Sequence, residues 1–367
     1  MRAGIFPTMA GRRAAGPEVY EISLVRAMAH IQPQCELDIF CLSEASKASF
    51  DLDRPNVRFH VLRPSSRWIS MSMSLPVALH RSGCDFLHAT LTSCPFLSKP
   101  LVFTVHDLTM LRNPEFYDRL IRLRLEQTIR PAIKKARVLI CISDFVRHEL
   151  QEVFRIPDDR VAVVHHGISP CYFPVPGARQ IVRDAKGINR PFLLFVGQMK
   201  LRKNIFRILE AFARLRESGV DIALVLAGRR GHTCEGMDEL IARYKLGPHL
   251  IELGHVDDAL LPPLYSAAEG LVFPSLNEGF GLPVLEAMAC GTPVLTSNTS
   301  ALPEIAGEAA LLIDPTSVEA ITDGLSRLLT DTCLRSKLID AGRARSSQFT
   351  WNAAAAQTLR AYERVAN

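Results

Sequence analysis

The sequence predicts an α/β protein of two domains, each built on a parallel β-sheet flanked by helices. Short apolar runs of strand length alternate with longer amphipathic stretches almost throughout the chain. The length of 367 residues exceeds what one hydrophobic core usually organises. A Pro- and Gly-rich stretch, Phe173-Pro174-Val175-Pro176-Gly177, separates two blocks of this alternation and suits an interdomain linker. We therefore predict an N-terminal domain over residues 1–175 and a second domain from residue 176.

The individual elements follow from apolar runs and from helical spacing of apolar residues. The predicted strands are residues 3–6, 37–42, 57–62, 86–89, 101–105, 138–142 and 161–164, then 192–196, 223–227, 250–253, 271–273, 294–296 and 310–313. The predicted helices are residues 17–30, 72–81, 115–135, 143–154, 205–217, 237–244, 260–268, 283–289, 318–329 and 334–349. Two such Rossmann-like sheets bind ligands at the carboxyl ends of their strands, so a cleft between the domains is the expected site.

Charge is unevenly placed along the chain. The net charge is +5, but residues 1–180 hold 23 Lys+Arg against 17 Asp+Glu, and the remainder holds 20 against 21. Seven cations fall in or beside one predicted helix: Arg119, Arg122, Arg124, Arg130, Lys134, Lys135 and Arg137. They form either a solvated helix face or a surface for anionic lipid or an anionic acceptor. Nucleic acid is disfavoured, because no known module for it is present.

The cysteines and the apolar runs limit the cellular location that can be expected. Nine cysteines, an odd number without a CxxC pair, sit mostly in apolar runs and indicate buried reduced thiols in a cytosolic protein. The first residues lack the long apolar core of a signal peptide. No apolar run approaches the roughly 20 residues of a membrane helix. The expected location is cytoplasmic, with any membrane contact peripheral.

Residues 273–291 carry the most informative pattern, a strand, a loop and a helix. Gly281 allows close approach of a ligand, Pro283 suits the first turn of a helix, and free N–H groups there favour an anion. Glu278 precedes this helix and Glu286 lies within it. Carboxylates bind vicinal sugar hydroxyls well, because two oxygens accept two O–H donors. Glu286 lies among apolar residues, so a partnered carboxylate is expected there in place of an idle surface residue.

Residues 196–204 form a second candidate turn between a strand and a helix. Gly197 ends the strand, while Arg202 and Lys203 stand at the start of the helix. Cations are unfavourable at a helix N-terminus, and a bound diphosphate would reverse that cost. The alternative is a solvated pair of loop cations.

With these motifs the sequence resembles the retaining GT-B glycosyltransferases of family 4, over nearly the whole chain. The E-x7-E motif of that family matches Glu278 and Glu286, and its phosphate-binding turn matches Arg202, Lys203 and Asn204. Three N-terminal segments resemble further family signatures: Thr104-Val105-His106-Asp107-Leu108, Ile142-Ser143-Asp144 and Val164-His165-His166-Gly167-Ile168. The resemblance implies an acceptor-binding domain over 1–175, a nucleotide-sugar-binding domain over 176–349, and a helix over 350–367 that crosses back onto the first domain.

The resemblance also implies roles for individual residues. Glu286 would hold the ribose hydroxyls of the donor, and Glu278 would hold hydroxyls of the donor sugar. Arg202 and Lys203 would neutralise the diphosphate as it leaves, and His106 would contact the donor sugar near its reacting carbon, unless it is only a core histidine. The remaining expected donor-binding residues are Gly16, Gly197, Asn204, Val256, Gly279, Phe280, Gly281 and Leu282.

Two positions depart from the family pattern. Gln198 stands where many members carry arginine, and Arg202 is expected to supply that charge. The N-terminal loop reads Ala14-Ala15-Gly16, so only Gly16 keeps the glycine of the usual Gly-Gly pair. Asp51-Leu52-Asp53 matches a metal-binding D-x-D pattern, but it lies in a polar linker and the phosphate already has cationic partners. We expect neither a metal nor another cofactor.

The sequence therefore predicts a retaining hexosyltransferase that uses a nucleoside diphosphate sugar. The sequence offers no convincing nucleophile. The family resemblance implies front-face attack, with the departing phosphate taking the acceptor proton. The motif set resembles bacterial mannosyltransferases most, which favours GDP-mannose as donor over a UDP-sugar. The acceptor is expected to be a lipid-linked or polysaccharide precursor at the inner membrane face. The alternatives are an epimerase or phosphorylase of the same fold, a nucleotide-sugar-binding subunit without catalysis, and a two-domain binding protein.

Overall fold

The structure, a computed structural model, describes residues 1–12, 16–64, 66, 69–94, 96–116, 119–231 and 233–366, without the side chains of 119–121, 124, 125 and 366. The chain divides into two compact units. The first unit comprises Met1–Gly167 with Phe349–Asn367, and the second comprises Ile168–Gln348. The second unit thus begins before the Pro/Gly stretch: Val175 N–H donates to Ser266 Oγ (3.1 Å) within this unit.

The first unit contains a seven-stranded parallel sheet with the order β3-β2-β1-β4-β5-β6-β7. Its strands are β1 (Arg2–Phe6), β2 (Glu36–Cys41), β3 (Val57–Val61), β4 (Phe86–Ala89), β5 (Leu101–Val105), β6 (Val138–Cys141) and β7 (Val161–Val163). Most of these strands are buried along their length, as expected for a parallel sheet with helices on its faces.

The helices of the first unit agree with the prediction only in part, because the short helices at Glu44–Ala48 and Thr109–Arg112 were not predicted. They are α1 (Gly16–Ile31), α2 (Glu44–Ala48), α3 (Leu75–Ser82), α4 (Thr109–Arg112), α5 (Arg119–Lys135) and α6 (Asp144–Phe154). A π-helical turn, Ser70–Ser74, leads into α3. The helix predicted over 115–135 starts instead at Arg119, after a 3-10 turn at Pro114–Phe116. Pro114 disfavours helical backbone at Asn113, which separates α4 from the elements that follow.

The second unit contains a six-stranded parallel sheet with the order β10-β9-β8-β11-β12-β13. Its strands are β8 (Phe192–Val196), β9 (Ala223–Ala227), β10 (Leu250–Gly254), β11 (Gly270–Phe273), β12 (Val294–Ser297) and β13 (Leu311–Ile313). Its helices are α7 (Ala178–Lys186), α8 (Ile205–Glu217), α9 (Met237–Arg243), α10 (Leu261–Ala267), α11 (Leu282–Ala289), α12 (Leu302–Ala306), α13 (Val318–Thr330) and α14 (Thr332–Ser346).

The last helix, α15 (Trp351–Ala366), belongs to the first unit. Its side chains Trp351, Leu359 and Tyr362 pack in the same hydrophobic core as α1 and β1. A Cβ atom placed on Gly167 would lie only 2.1 Å from Trp351 N, so glycine alone lets the chain pass the start of this helix. The predicted return of the final helix to the N-terminal domain is confirmed.

Two further observations concern the exterior and the cysteines. Within the part of the chain that the structure describes, no helix combines the length and apolar character needed to cross a bilayer. All nine cysteines are free thiols, and six of them are buried.

Candidate functional site

The second sheet reverses its strand order between β8 and β11, which are neighbours although β9 and β10 intervene in sequence. Ligands of open α/β sheets bind at such a switch point, outside the carboxyl ends of the strands. The turn after β8 and the loop after β11 meet there: Leu276 N–H donates to Arg202 O (2.9 Å). The structure therefore brings together the two segments that the sequence singled out.

The turn after β8 is shaped by two glycines. Gly197 has φ +137°, and Gly228, after β9, has φ +154°. A Cβ atom on Gly228 would lie 1.9 Å from Gly197 O, so the two turns are in direct backbone contact. A bridge between Gly228 and Gly254 extends this contact to the turn after β10, which leads to the buried Val256. Gly228 was not predicted, although a glycine directly after an apolar strand signals such a turn.

Asn204 holds the turn in place. It has φ +63°, a left-handed conformation that asparagine tolerates better than most residues. Its buried Nδ2 donates to Pro274 O (2.9 Å) and to Pro315 O (2.7 Å). These bonds tie the residue after Lys203 to the loops after β11 and β13, and so they position both cations of the turn.

Glu278 lies between those two cations. Lys203 Nζ is 2.5 Å from Glu278 Oε1, and Arg202 Nη1 is 3.0 Å from Glu278 Oε2. Arg202 also donates to Asn277 O (2.5 Å). The sequence assigned these residues to the donor phosphate and the donor sugar separately and did not predict that they would pair with each other.

The electrostatics of this cluster favour an anion. Burial alone would raise the pKa of Glu278, but the charges of Arg202 and Lys203 and hydrogen bonds to the carboxylate lower it to about 2. Burial lowers the pKa of Lys203, against the opposing effect of Glu278. Two cations and one carboxylate leave one positive charge in excess, next to the N-terminus of α11. A diphosphate would find both a surplus cation and helix N–H groups there.

The loop before α11 is built for a tight entry into the helix. Gly281 has φ +118° and directly precedes Leu282 and Pro283, the first helical residues. Glu278 N–H donates to Ser300 Oγ (3.1 Å), and Ala301 N–H donates to Glu278 O (3.2 Å). The loop that contains Gly279 and the buried Phe280 is therefore anchored at its start to the turn after β12.

Glu286, on α11, has the partners that its apolar surroundings require. Tyr265 Oη, from α10, donates to Glu286 Oε2 (2.7 Å). Tyr172 lies beside this pair, with its ring centroid 6.0 Å from that of Tyr265. Burial raises the pKa of Glu286 to about 7, although the hydroxyl groups of Tyr265 and Tyr172 act in the opposite direction. Neither tyrosine was predicted, since nothing local in the sequence connects residues 172, 265 and 286.

The other expected site residues, His106 and Gly16, lie in the first unit. His106 follows β5, and its Nε2 is 2.9 Å from Thr90 O, which requires a proton on Nε2. Burial lowers its pKa despite this bond, so the imidazole is neutral at pH 7. Gly16 is the first residue of α1. The preceding Ala14-Ala15 pair lies outside the described residues.

A buried carboxylate that the sequence did not single out organises the loop after β1. Glu21, on α1, accepts hydrogen bonds from the N–H groups of Thr8 (2.8 Å), Met9 (2.8 Å) and Ala10 (2.7 Å). The Thr90 hydroxyl also donates to it. This loop stands at the switch point of the first sheet, between β1 and β4. Glu21 therefore fixes the corresponding strand-end loop of the first unit.

Two Rossmann-like units, the second with a cationic and acidic cluster at its switch point, define the GT-B class of glycosyltransferases. A family model described as "Glycosyltransferase Family 4" matches residues 14–171, and one described as "Glycosyl transferases group 1" matches residues 178–345. The chain belongs to family 4 of the GT-B glycosyltransferases.

Named relatives agree with this assignment. O-antigen chain mannosyltransferase B of Escherichia coli is 34% identical over 265 residues, which are 71% of this chain and 70% of the relative. MMP alpha-(1->4)-mannosyltransferase of Mycolicibacterium hassiacum is 29% identical over 342 residues, or 87% and 80% of the two chains. Among solved structures, Anabaena HepE in complex with UDP and glucose superimposes with a TM-score of 0.77 at 17% identity, covering 99% of each chain. The protein is a glycosyltransferase.

Proposed function

We propose that the protein is a retaining, metal-independent mannosyltransferase that uses GDP-mannose and a glycan or lipid-linked acceptor hydroxyl. The observation that carries the proposal is the Arg202–Glu278–Lys203 cluster, with its excess positive charge at the N-terminus of α11. It suits a nucleoside diphosphate without a metal ion. Mannose is favoured because two relatives bear mannosyltransferase names. A UDP-sugar is the alternative, since the similar HepE is described in complex with UDP and glucose.

The proposed reaction breaks the bond between the anomeric carbon and the diphosphate oxygen and forms one to the acceptor oxygen. Arg202 and Lys203 stabilise the negative charge that develops on the leaving diphosphate. Both carboxylate oxygens of Glu278 face cations, which suits binding of sugar hydroxyls and not attack on carbon. The acceptor proton passes to the departing phosphate on the same face, which retains the configuration. His106, a neutral imidazole, is proposed to contact the donor sugar near its reacting carbon.

The acceptor is proposed to bind the basic first unit. In α5, Arg122 and Arg130 each lie 3.7 Å from Glu126, so part of the positive charge of this helix is compensated. Lys134 and Lys135 follow in its last turn. A lipid-linked or polysaccharide precursor with phosphate groups would be attracted to such a surface.

Thermal unfolding with different nucleotides tests the donor. We expect GDP at 100 times its dissociation constant to raise the free energy of unfolding by about 2.7 kcal/mol, and UDP at the same concentration to raise it less. Release of GDP from GDP-mannose, unchanged by EDTA, together with an α-linked product by NMR, is the expected activity. Stabilisation by UDP alone would overturn the donor assignment. Nucleotide binding without turnover over a panel of acceptors would favour a binding subunit.

Glu286 should make nucleotide affinity depend on pH. With a pKa of about 7, the carboxylate that accepts ribose hydroxyls is lost progressively below pH 7. We expect GDP affinity to fall up to about tenfold per pH unit below that value. Isothermal titration between pH 5 and 8 measures this (roughly the range in which a group of this pKa titrates). The Glu286→Gln variant is the control, because titration of the nucleotide phosphate is common to both proteins.

The ligand-free protein offers a second readout of the same group. Because the pKa of Glu286 is raised by folding, from 4.5 to about 7, its contribution to stability is complete below pH 4.5 and is lost as pH rises through 7.

Tyr265→Phe removes a hydrogen bond that lowers the pKa of Glu286, so the midpoint of the pH dependence of GDP affinity should move to higher pH. An identical midpoint in Tyr265→Phe would contradict the role assigned to Tyr265.

A further inference from the structure

The first unit exposes an apolar stripe on the helical segment that leads into α3. The exposed fractions are 46% for Ile69, 67% for Met73 and 51% for Val77. These residues are four positions apart, so they share one face of the segment formed by Ser70–Ser74 and α3. The opposite face is buried, because Met71, Leu75 and Leu79 pack in a hydrophobic core cluster.

A second exposed apolar residue lies beside this segment. Phe96 is 71% exposed, the largest fraction among the exposed large apolar side chains of the described residues. Its neighbours Cys94 and Leu97 pack in the same cluster as Met71 and Leu75, which places the loop that carries Phe96 against the helical segment. We call Ile69, Met73, Val77 and Phe96, with the flanking Arg63 and Arg81, the α3 face.

The stretch of sequence that carries the helical part of the α3 face is basic. Between Asp53 and Asp85 the sequence contains no acidic residue but five arginines. Arg63 and Arg81 line one groove together with Met73 and Val77. His60, in the same groove, is bonded to the buried Asp38, whose negative charge is also matched by Arg2. The exposed surface thus combines apolar side chains with the guanidinium groups of Arg63 and Arg81, and none of the described residues that line the groove is acidic.

This combination of apolar side chains and arginines favours one kind of binding partner over another. A second copy would place the α3 face against itself around a two-fold axis, and arginines of both copies would then repel each other. An anionic bilayer accommodates both components, because apolar side chains enter the acyl boundary while cations meet lipid phosphates. We propose that the α3 face binds the surface of an anionic lipid bilayer.

The position of the α3 face connects it to the proposed function. The segment follows β3, so Ile69 and Met73 come after the carboxyl end of a strand, at the edge where parallel sheets bind ligands. A lipid-linked acceptor held in the bilayer would be presented to that edge. Only this consequence rests on the proposed function; bilayer binding itself needs neither donor nor acceptor.

Vesicle sedimentation without nucleotide tests the proposal. We expect the full chain to bind vesicles that contain phosphatidylglycerol, to bind pure phosphatidylcholine more weakly, and to dissociate partly at about 0.5 M NaCl. The Met73→Ser/Val77→Ser variant should bind roughly tenfold or more weakly. Arg63→Gln/Arg81→Gln should remove most of the salt dependence. Ile181→Ser is the matched control, since Ile181 is 40% exposed on α7 of the second unit.

Three outcomes would overturn the proposal. One is wild-type binding by Met73→Ser/Val77→Ser. Another is loss of binding in Lys134→Gln/Lys135→Gln alone, which would assign the membrane contact to α5. The third is a concentration-dependent dimer that the Met73→Ser/Val77→Ser variant abolishes. GDP-induced stabilisation, measured on each variant, shows that the protein is folded and separates this inference from the donor assignment.

Discussion

Replacement of Lys203 by alanine should lower kcat/KM for transfer by about 10²–10³-fold, the range found when one preorganised electrostatic group is removed. The same change should reduce the free energy of unfolding by about 3 kcal/mol, because a buried carboxylate loses a partner. Arg202 still faces Glu278 at 3.0 Å, which keeps this loss at the lower end of the usual range. Steady-state kinetics and urea unfolding measure the two effects.

A double variant separates the two roles of Lys203. Lys203→Ala/Glu278→Ala removes both partners, so most of the lost stability should return, whereas transfer should stay at or below the level of the single variant. Lys337→Ala, on an exposed part of α14, is the matched control and should change neither quantity. Recovery of transfer in the double variant would show that Lys203 acts only as a structural partner of Glu278.

Replacement of Gly167 by alanine should destabilise the first unit by about 3 kcal/mol or more, beyond ordinary overpacking. The added Cβ would lie 2.1 Å from Trp351 N and 2.4 Å from Thr350 C. Both are backbone atoms, so no side-chain rotation relieves the clash and α15 must move. Its displacement would expose apolar side chains that fill the first core, including Ala355 and Tyr362. Chemical unfolding followed by tryptophan fluorescence, with Trp351 as a local probe, measures the change.

The control for this substitution is Gly247→Ala. A Cβ atom placed on Gly247 would meet none of the described atoms within 4 Å apart from its chain neighbours, and this glycine does not adopt a positive φ. Its replacement should alter the free energy of unfolding by less than about 0.5 kcal/mol. Equal stability of Gly167→Ala and Gly247→Ala would mean that the start of α15 is free to shift without cost.

Helices and strands were predictable where the residue composition and the spacing of apolar residues indicate the same element. The strand predicted over residues 223–227 is β9 without change. Five consecutive apolar residues are too few for a helix of ordinary length and suit a buried strand. The helix predicted over 205–217 is α8, since its apolar stripe repeats at helical spacing. By contrast α7 was not predicted: most of its residues are polar and exposed, and only Ala178 and Val182 are buried.

The candidate site was predictable as segments but not as an arrangement. A parallel sheet places the turn after β8 and the loop after β11 at one edge, and this topology follows from the alternation of elements. The ion pair between Lys203 and Glu278 joins residues 75 positions apart, and no local pattern encodes such a distance. The positions of Tyr265 and Tyr172 near Glu286 could not be predicted for the same reason, because the three residues come from separate segments. Their identification required the tertiary structure.

The return of the chain to its first unit has a consequence for synthesis. The second unit, Ile168–Gln348, is inserted between the two parts of the first. On the ribosome the N-terminal sheet emerges early, but Trp351, Leu359 and Tyr362, which fill its core, emerge only after the whole second unit. The hydrophobic core of the nascent first unit therefore stays incomplete until the second unit has been synthesised. During that interval the apolar surface near α1 is accessible to chaperones. The unit made first is the last to be completed.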